Sequence, residues 1–126
     1  MTLAYVPEMT ASLGVTDLDA AIAWYRDVLG FELLYRADEI GWCELSTHIP
    51  GVNVGLSENR EVPQGGGATN VWTVGDIDAG KAWLDQHGVR QDGPITTIEG
   101  LVRLLTFYDP DGNAMMLAQS LQDGAS

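Results

Sequence analysis

The chain repeats itself, and that repeat constrains its fold more than any other feature. Sliding the 126 residues over themselves pairs Thr10 with Thr69, Val15 with Val74, Asp17 with Asp76, Asp19 with Asp78, Ala20 with Ala79, Ala23 with Ala82 and Trp24 with Trp83. Leu18 over Ile77 is a conservative match in the same frame. Towards the far ends Pro50 lies over Pro110 and, after one gap, Gly51 over Gly112 and Leu56 over Leu117. Self-similarity of this kind marks a duplicated supersecondary unit. The stretch 58–68, with three consecutive glycines, a proline and charges, reads as the linker between two copies. One domain over 1–126 is expected, with a first module at 9–57, a second at 69–120 and a flexible tail at 121–126.

Each copy has the same coarse order. Residues 9–15 and 69–74 read as short strands rich in Thr, Val and Trp. Asp17 and Asp76 are suited to N-caps, because a short carboxylate accepts from the unpaired amides of a first helical turn, and Asp19 and Asp78 complement the helix dipole. The first helix is predicted over 18–29, with Leu18, Ile22, Tyr25 and Leu29 at core spacing and Gly30 as its stop. The second is predicted over 77–87, burying Ile77, Leu84 and Trp83, with Gly88 as its stop. Strands are expected at 31–36, 40–46 and 52–57, then at 94–98, 101–108 and 114–119, separated by turn residues such as Pro50-Gly51 and Asp109-Pro110-Asp111-Gly112. Both halves are therefore βαβββ.

Charge narrows the function. Eighteen acidic against six basic side chains give a formal net charge of −12. Nucleic-acid affinity depends largely on Lys and Arg displacing counterions, so nucleic acid and anionic membrane surfaces are poor partners. Cys43 is the single cysteine, so no intrachain disulfide is possible and nothing argues for an oxidising compartment. The first residues lack the basic and apolar regions of a secretory signal, and no window reaches the roughly 18 apolar residues of a membrane span. A mature, soluble, cytoplasmic chain is expected.

A tandem βαβββ chain with Val-Thr-Asp-Leu-Asp-Ala-Ala-Ile-Ala-Trp-Tyr-Arg-Asp-Val-Leu-Gly-Phe-Glu-Leu at 15–33 and Phe-Tyr-Asp-Pro-Asp-Gly-Asn at 107–113 resembles the vicinal oxygen chelate superfamily of glyoxalases, bleomycin-resistance proteins and dioxygenases. The resemblance covers residues 9–120. It implies an α+β fold in which two modules form an open, mostly antiparallel barrel-like sheet with helices outside, completed as a homodimer, with the ligand in the concavity. In metal-dependent members four inward-facing positions hold a divalent cation. The motifs carry these onto Thr10, five before Val15, onto Thr69, five before Val74, onto Met116, four beyond Gly112, and onto Gly55 by the repeat. Neutral hydroxyls and a thioether do not offset the desolvation of such an ion, which needs imidazole, carboxylate or thiolate donors. No metal and no cofactor are expected.

Strand alternation extends the lining. If Thr10 and Thr69 face the cavity, so do Ser12, Gly14, Val71, Thr73, Ala114 and Ala118, with Leu104, Thr106 and Tyr108 as a further strip. Leu13, Trp72, Met115 and Leu117 then point towards the helices. Trp24, Trp72 and Trp83 read as packing residues. Trp42 and Glu44 share one face, opposite Cys43 and Leu45, and supply an indole for stacking beside an anion for a cationic group. Cys43 reads as a small buried hydrophobe, His48 as a loop residue and His87 as the end of a helix. The expected function is metal-independent binding of a bulky, cationic small organic molecule, such as an antibiotic held by sequestration. The alternative is an enzyme of the same family, a lyase, isomerase or dioxygenase with a diverged or displaced site, in which Glu44 is the candidate catalytic base.

Overall fold

The computed structural model describes residues 6–59, 62 and 68–122. Most of the expected linker (60, 61 and 63–67) and the end of the expected tail (123–126) lie outside the described residues. The chain divides into two compact units, Met1–Val62 and Pro63–Ser126.

The first unit runs β1 (Met9–Val15), α1 (Leu18–Leu29), β2 (Glu32–Ala37), a 3-10 turn (Asp38–Ile40), β3 (Trp42–Ser46) and β4 (Val52–Glu58). Its four strands form one sheet in the order β1-β4-β3-β2. β1 runs parallel to β4, and the other pairings are antiparallel. The second unit repeats the plan with β5 (Asn70–Thr73), α2 (Ile77–Gln86), β6 (Thr96–Ile98), β7 (Val102–Tyr108) and β8 (Ala114–Ser120), ordered β5-β8-β7-β6. The fold is α+β with two βαβββ modules, and its strands make two open four-stranded sheets. The turn at 38–40 takes up the start of the strand expected from 40, and Thr69 falls just before its strand.

The helices start where the carboxylates dictate. Asp17 accepts from the Ala20 amide at 3.1 Å, and Asp76 accepts from the Ala79 amide at 3.1 Å. A second clamp comes from the last strand of each unit: the Leu18 amide donates to Glu58 Oε2 at 2.8 Å, and the Ile77 amide donates to Gln119 Oε1 at 2.8 Å. These acceptors satisfy helix-end amides and tie each helix to its own sheet. At the other end of α1, Gly30 takes the left-handed conformation with φ 75°, and the amides of Gly30 and Phe31 return to the carbonyls of Arg26 and Tyr25.

α1 buries Leu18, Ala21, Ile22, Tyr25 and Val28, with Cys43, Leu45, Val54 and Leu56 as the buried side of its sheet. Leu29 is half-buried, and Val28 takes the core place expected for it. Each fully buried aliphatic side chain contributes about 1.5–3 kcal/mol. In the second unit Ile77 and Leu84 are buried with Leu105, Phe107, Met115 and Leu117. Trp83 departs from expectation. It is 47% exposed, with its ring 4.2 Å from that of His87, whose Nδ1 lies 2.9 Å from the Trp83 carbonyl oxygen. α2 buries only Ile77 and Leu84, so Trp83 falls outside its narrow apolar stripe. Its counterpart Trp24 is half-buried, edge-on to Tyr25 at 4.9 Å.

The turn into β8 is organised by Asp109, which is 4% exposed. Its Oδ1 accepts from the amides of Asp111 and Asn113, and its Oδ2 from Asn113 Nδ2. Replacing it would strand those donors, and leaving buried polar groups unpaired costs about 1–3 kcal/mol. Asp109→Ala is therefore expected to lose about 2 kcal/mol in denaturant unfolding, more than the roughly 1 kcal/mol expected for the exposed cap substitution Asp17→Ala.

Candidate functional site

Burial of Cys43, Leu45, Val54 and Leu56 beneath α1 forces their neighbours onto the opposite face of the first sheet. Across that face the register sets Ser12 beside Gly55 and Gly55 beside Glu44, with Thr10 beside Asn53 and Ser57 beside Trp42. Four of the expected site residues, Thr10, Ser12, Trp42 and Glu44, are thus gathered around Gly55. Gly55 itself supplies no group to a ligand. The Trp42 indole lies against it, where a Cβ would overlap the ring.

Glu44 is the hub of this face. Its Oε2 accepts from Asn53 Nδ2 at 2.9 Å and from Thr10 Oγ1 at 3.3 Å, and its Oε1 accepts from the Tyr35 hydroxyl at 3.2 Å. Tyr35 in turn accepts from Trp42 Nε1 at 3.1 Å. All these donors are neutral, so an ionised Glu44 keeps its full negative charge and loses only freedom of orientation. Tyr35 and Asn53 did not emerge from the sequence. Asn53 follows from alternation with Gly55. Tyr35 does not, because β2 carries a bulge between Leu33 and Tyr35, where two residues of β2 span one step of β3. Leu33 pairs with Leu45 on the helix side, yet Tyr35, two residues on, pairs with Glu44 on the other.

In the second unit the expected face is also formed. Val71 pairs with Met116 and Thr73 with Ala118, while Thr106 pairs with Met116 and Leu104 with Ala118. Leu104, Thr106 and Met116 line a cleft of about 300 Å³ with Thr96, Pro94 and Asp92. Asp92 and Pro94 come from the loop before β6, which Asp92 ties to β7 through its amide and the Thr106 carbonyl at 2.9 Å. Val71 is 51% exposed, and Thr73 is exposed outside this lining. Thr69, expected at the start of this strand, is exposed and stands one residue before β5. Tyr108 donates to Asp92 Oδ2 at 2.6 Å, and the Arg90 guanidinium lies 3.9 Å over its ring.

The residues at the positions of the family's metal do not fit a divalent cation. Thr10 is directed to Glu44, Gly55 is covered by an indole, Thr69 lies outside the strand, and Met116 offers a thioether between Val71 and Thr106. Among the described residues no three His, Cys, Asp or Glu side chains converge on a common point. Cys43 is buried, and burial pushes its thiol above the usual range, so it packs as a small hydrophobe. His48 is exposed at the strand-to-turn corner.

The family model for the Glyoxalase/Bleomycin resistance protein/Dioxygenase superfamily matches residues 8–117. Among solved structures, TnmS3, an antibiotic binding protein from Streptomyces sp. CB03234, is 29% identical, with a TM-score of 0.74 over 95% of this chain and 98% of that one. A glyoxalase/bleomycin resistance protein from the same strain is 30% identical, with a TM-score of 0.69 over 89% of this chain and 99% of that one. A superfamily member from Sphaerobacter thermophilus DSM 20745 is 24% identical, with a TM-score of 0.79 over 94% and 98% of the two chains, a likeness of fold alone. No curated protein matches the chain.

The indole seated on Gly55 makes a direct check of this face. Gly55→Ala is expected to expel Trp42 from its seat and cost about 1–3 kcal/mol through overpacking. Loss of the near-ultraviolet circular dichroism of Trp42, measured against Trp42→Phe, would register the displacement. An unchanged spectrum would contradict the seating of the ring.

Proposed function

Because the chain belongs to the Glyoxalase/Bleomycin resistance protein/Dioxygenase superfamily, we propose that it binds a bulky, cationic aromatic molecule on the face of the first sheet and holds it unchanged, with no metal taking part. The observation that carries this reading is the chain of hydrogen bonds from Trp42 through Tyr35 to Glu44. It orients two aromatic rings and one carboxylate on the same face, with Tyr35 half exposed. A carboxylate offers about four acceptor positions, and three at Glu44 are engaged, so one remains for a ligand's charged donor. A cation over such rings gains about 0.5–2 kcal/mol, and the net charge of −12 raises the local concentration of cations.

The antibiotic-binding TnmS3 at 29% identity supports sequestration as the mode of action. Among the described residues no helix is long and apolar enough to cross a membrane. Cytoplasmic location and assembly as a homodimer complete the proposal.

Titration with a panel of cationic aromatic antibiotics, followed by tryptophan fluorescence, tests this reading alongside metal analysis of the purified protein. At least one member is expected to bind one per chain and be recovered intact. Trp42→Ala and Glu44→Gln are each expected to weaken it about tenfold, the equivalent of about 1.4 kcal/mol. A tightly held transition metal in every chain, chemical conversion of the ligand, or affinity indifferent to both substitutions would overturn it.

A further inference from the structure

Cations of equal charge differ in how many hydrogen bonds they give and in what geometry, and the Glu44 carboxylate does not offer its two oxygens equally. Each carboxylate oxygen has two acceptor positions. On Oε2 both are taken, by Asn53 Nδ2 at 2.9 Å and by Thr10 Oγ1 at 3.3 Å. On Oε1 one is taken, by the Tyr35 hydroxyl at 3.2 Å. The two donors on Oε2 stand side by side, because β1 pairs with β4 in the register that sets Thr10 beside Asn53. The position left on Glu44 is therefore a single one, on the oxygen that Tyr35 also reaches. Asp78 is the contrasting carboxylate of the same chain. Among the described residues only Arg103 donates to its side chain, and it grips both oxygens, Nη1 on Oδ2 at 2.8 Å and Nη2 on Oδ1 at 3.0 Å.

We propose, on the premise that the first sheet carries the ligand site, that this face selects a tertiary ammonium and discriminates against a guanidinium, with Thr10 and Asn53 setting that specificity. A guanidinium binds a carboxylate through two parallel N–H bonds, one to each oxygen. To make the second bond here it must displace Asn53 or Thr10 from Oε2, and the displaced group loses its partner. A tertiary ammonium has one N–H, which the remaining position on Oε1 accepts, while its alkyl groups bring the charge against the Trp42 and Tyr35 rings. A quaternary ammonium keeps the charge and has no donor for Oε1. A primary ammonium brings three donors to one acceptor position and loses the alkyl contact with the rings. The bonds from Trp42 to Tyr35 and from Tyr35 to Glu44 fix this geometry before any ligand arrives, which lowers the ordering cost of binding.

Four naphthylethyl probes test this by calorimetric titration, carrying on the same arm a dimethylammonium, a trimethylammonium, a guanidinium or an uncharged isopropyl group. The dimethylammonium is expected to bind at least about tenfold more tightly than the isopropyl probe, the gain of a hydrogen bond between charged groups. It is expected to exceed the guanidinium and the trimethylammonium by about fivefold, the net worth of one hydrogen bond. Thr10→Val keeps the branched shape, removes the donor and opens one position on Oε2, so the ratio of guanidinium to dimethylammonium affinity should rise about fivefold. Thr10→Ser restores the hydroxyl and should return the ratio to that of the unaltered chain. A guanidinium or a trimethylammonium bound as tightly as the dimethylammonium, or a ratio unmoved by Thr10→Val, would overturn the proposal and leave the first-sheet site standing. An isopropyl probe bound as tightly as the cations, cation binding indifferent to Glu44→Gln, or no binding by any probe would overturn the first-sheet site and the proposal with it.

Discussion

A strand residue has two sides to choose from, and in each unit the helix takes one of them. Burial of Cys43 and Leu45 on one side of β3 leaves Trp42 and Glu44 no place except the other. A slip of one residue would drive Glu44 beneath α1 and bring Leu45 into water, exchanging a solvated charge for a buried one. In the second unit Leu105 and Phe107 play the part of Cys43 and Leu45, and Thr106 is the residue thereby turned outward. The polar faces that carry the proposed chemistry are consequences of where the apolar side chains must go.

Duplication preserved the scaffold and let those faces diverge. Both helices begin on an aspartate cap and a second acceptor from the last strand of their unit, Glu58 in one and Gln119 in the other. These clamps serve the packing of helix on sheet and are indifferent to what lies on the far side. There the first unit has a carboxylate at mid-strand with an indole lying over a glycine, and the second has a neutral sheet face with its carboxylate on a loop. The acidic excess also sorts in this way. Asp17 and Asp76 cap helices, Asp19 and Asp78 pair with Arg36 and Arg103, and Asp109 shapes a turn, while Glu44 stands where a ligand could meet it. The Arg103 guanidinium holds Asp78 below the usual carboxylate range, a surface pairing with no link to either face.

Local rules of wide reach were enough to read the scaffold. The repeat, the aspartate caps, the glycine stop of α1 and the alternation of β3 and β8 were all legible, because each rests on contacts within one element or on the two-sidedness of a strand. Three features were not legible. Trp83 shares a repeat position with Trp24 and nevertheless stands exposed, because the apolar stripe of α2 is narrower than that of α1. Thr69 aligns with Thr10 and still falls outside its strand, because β5 is shorter than β1.

The third feature is the site itself. Sequence alone determined that the chain would fold as two βαβββ modules, and it determined that Trp42 and Glu44 would share a face, since both follow from periodicity. Tertiary structure decided who joins them. The bulge at Leu34 inverts the parity of β2 and turns Tyr35 towards Glu44, and a bulge is an accommodation between two strands that neither strand's pattern contains. Likewise Asp92 meets Tyr108 only because the loop before β6 folds back along β7. Pairing across a sheet is a long-range contact, and its register is settled by the packing of the whole unit.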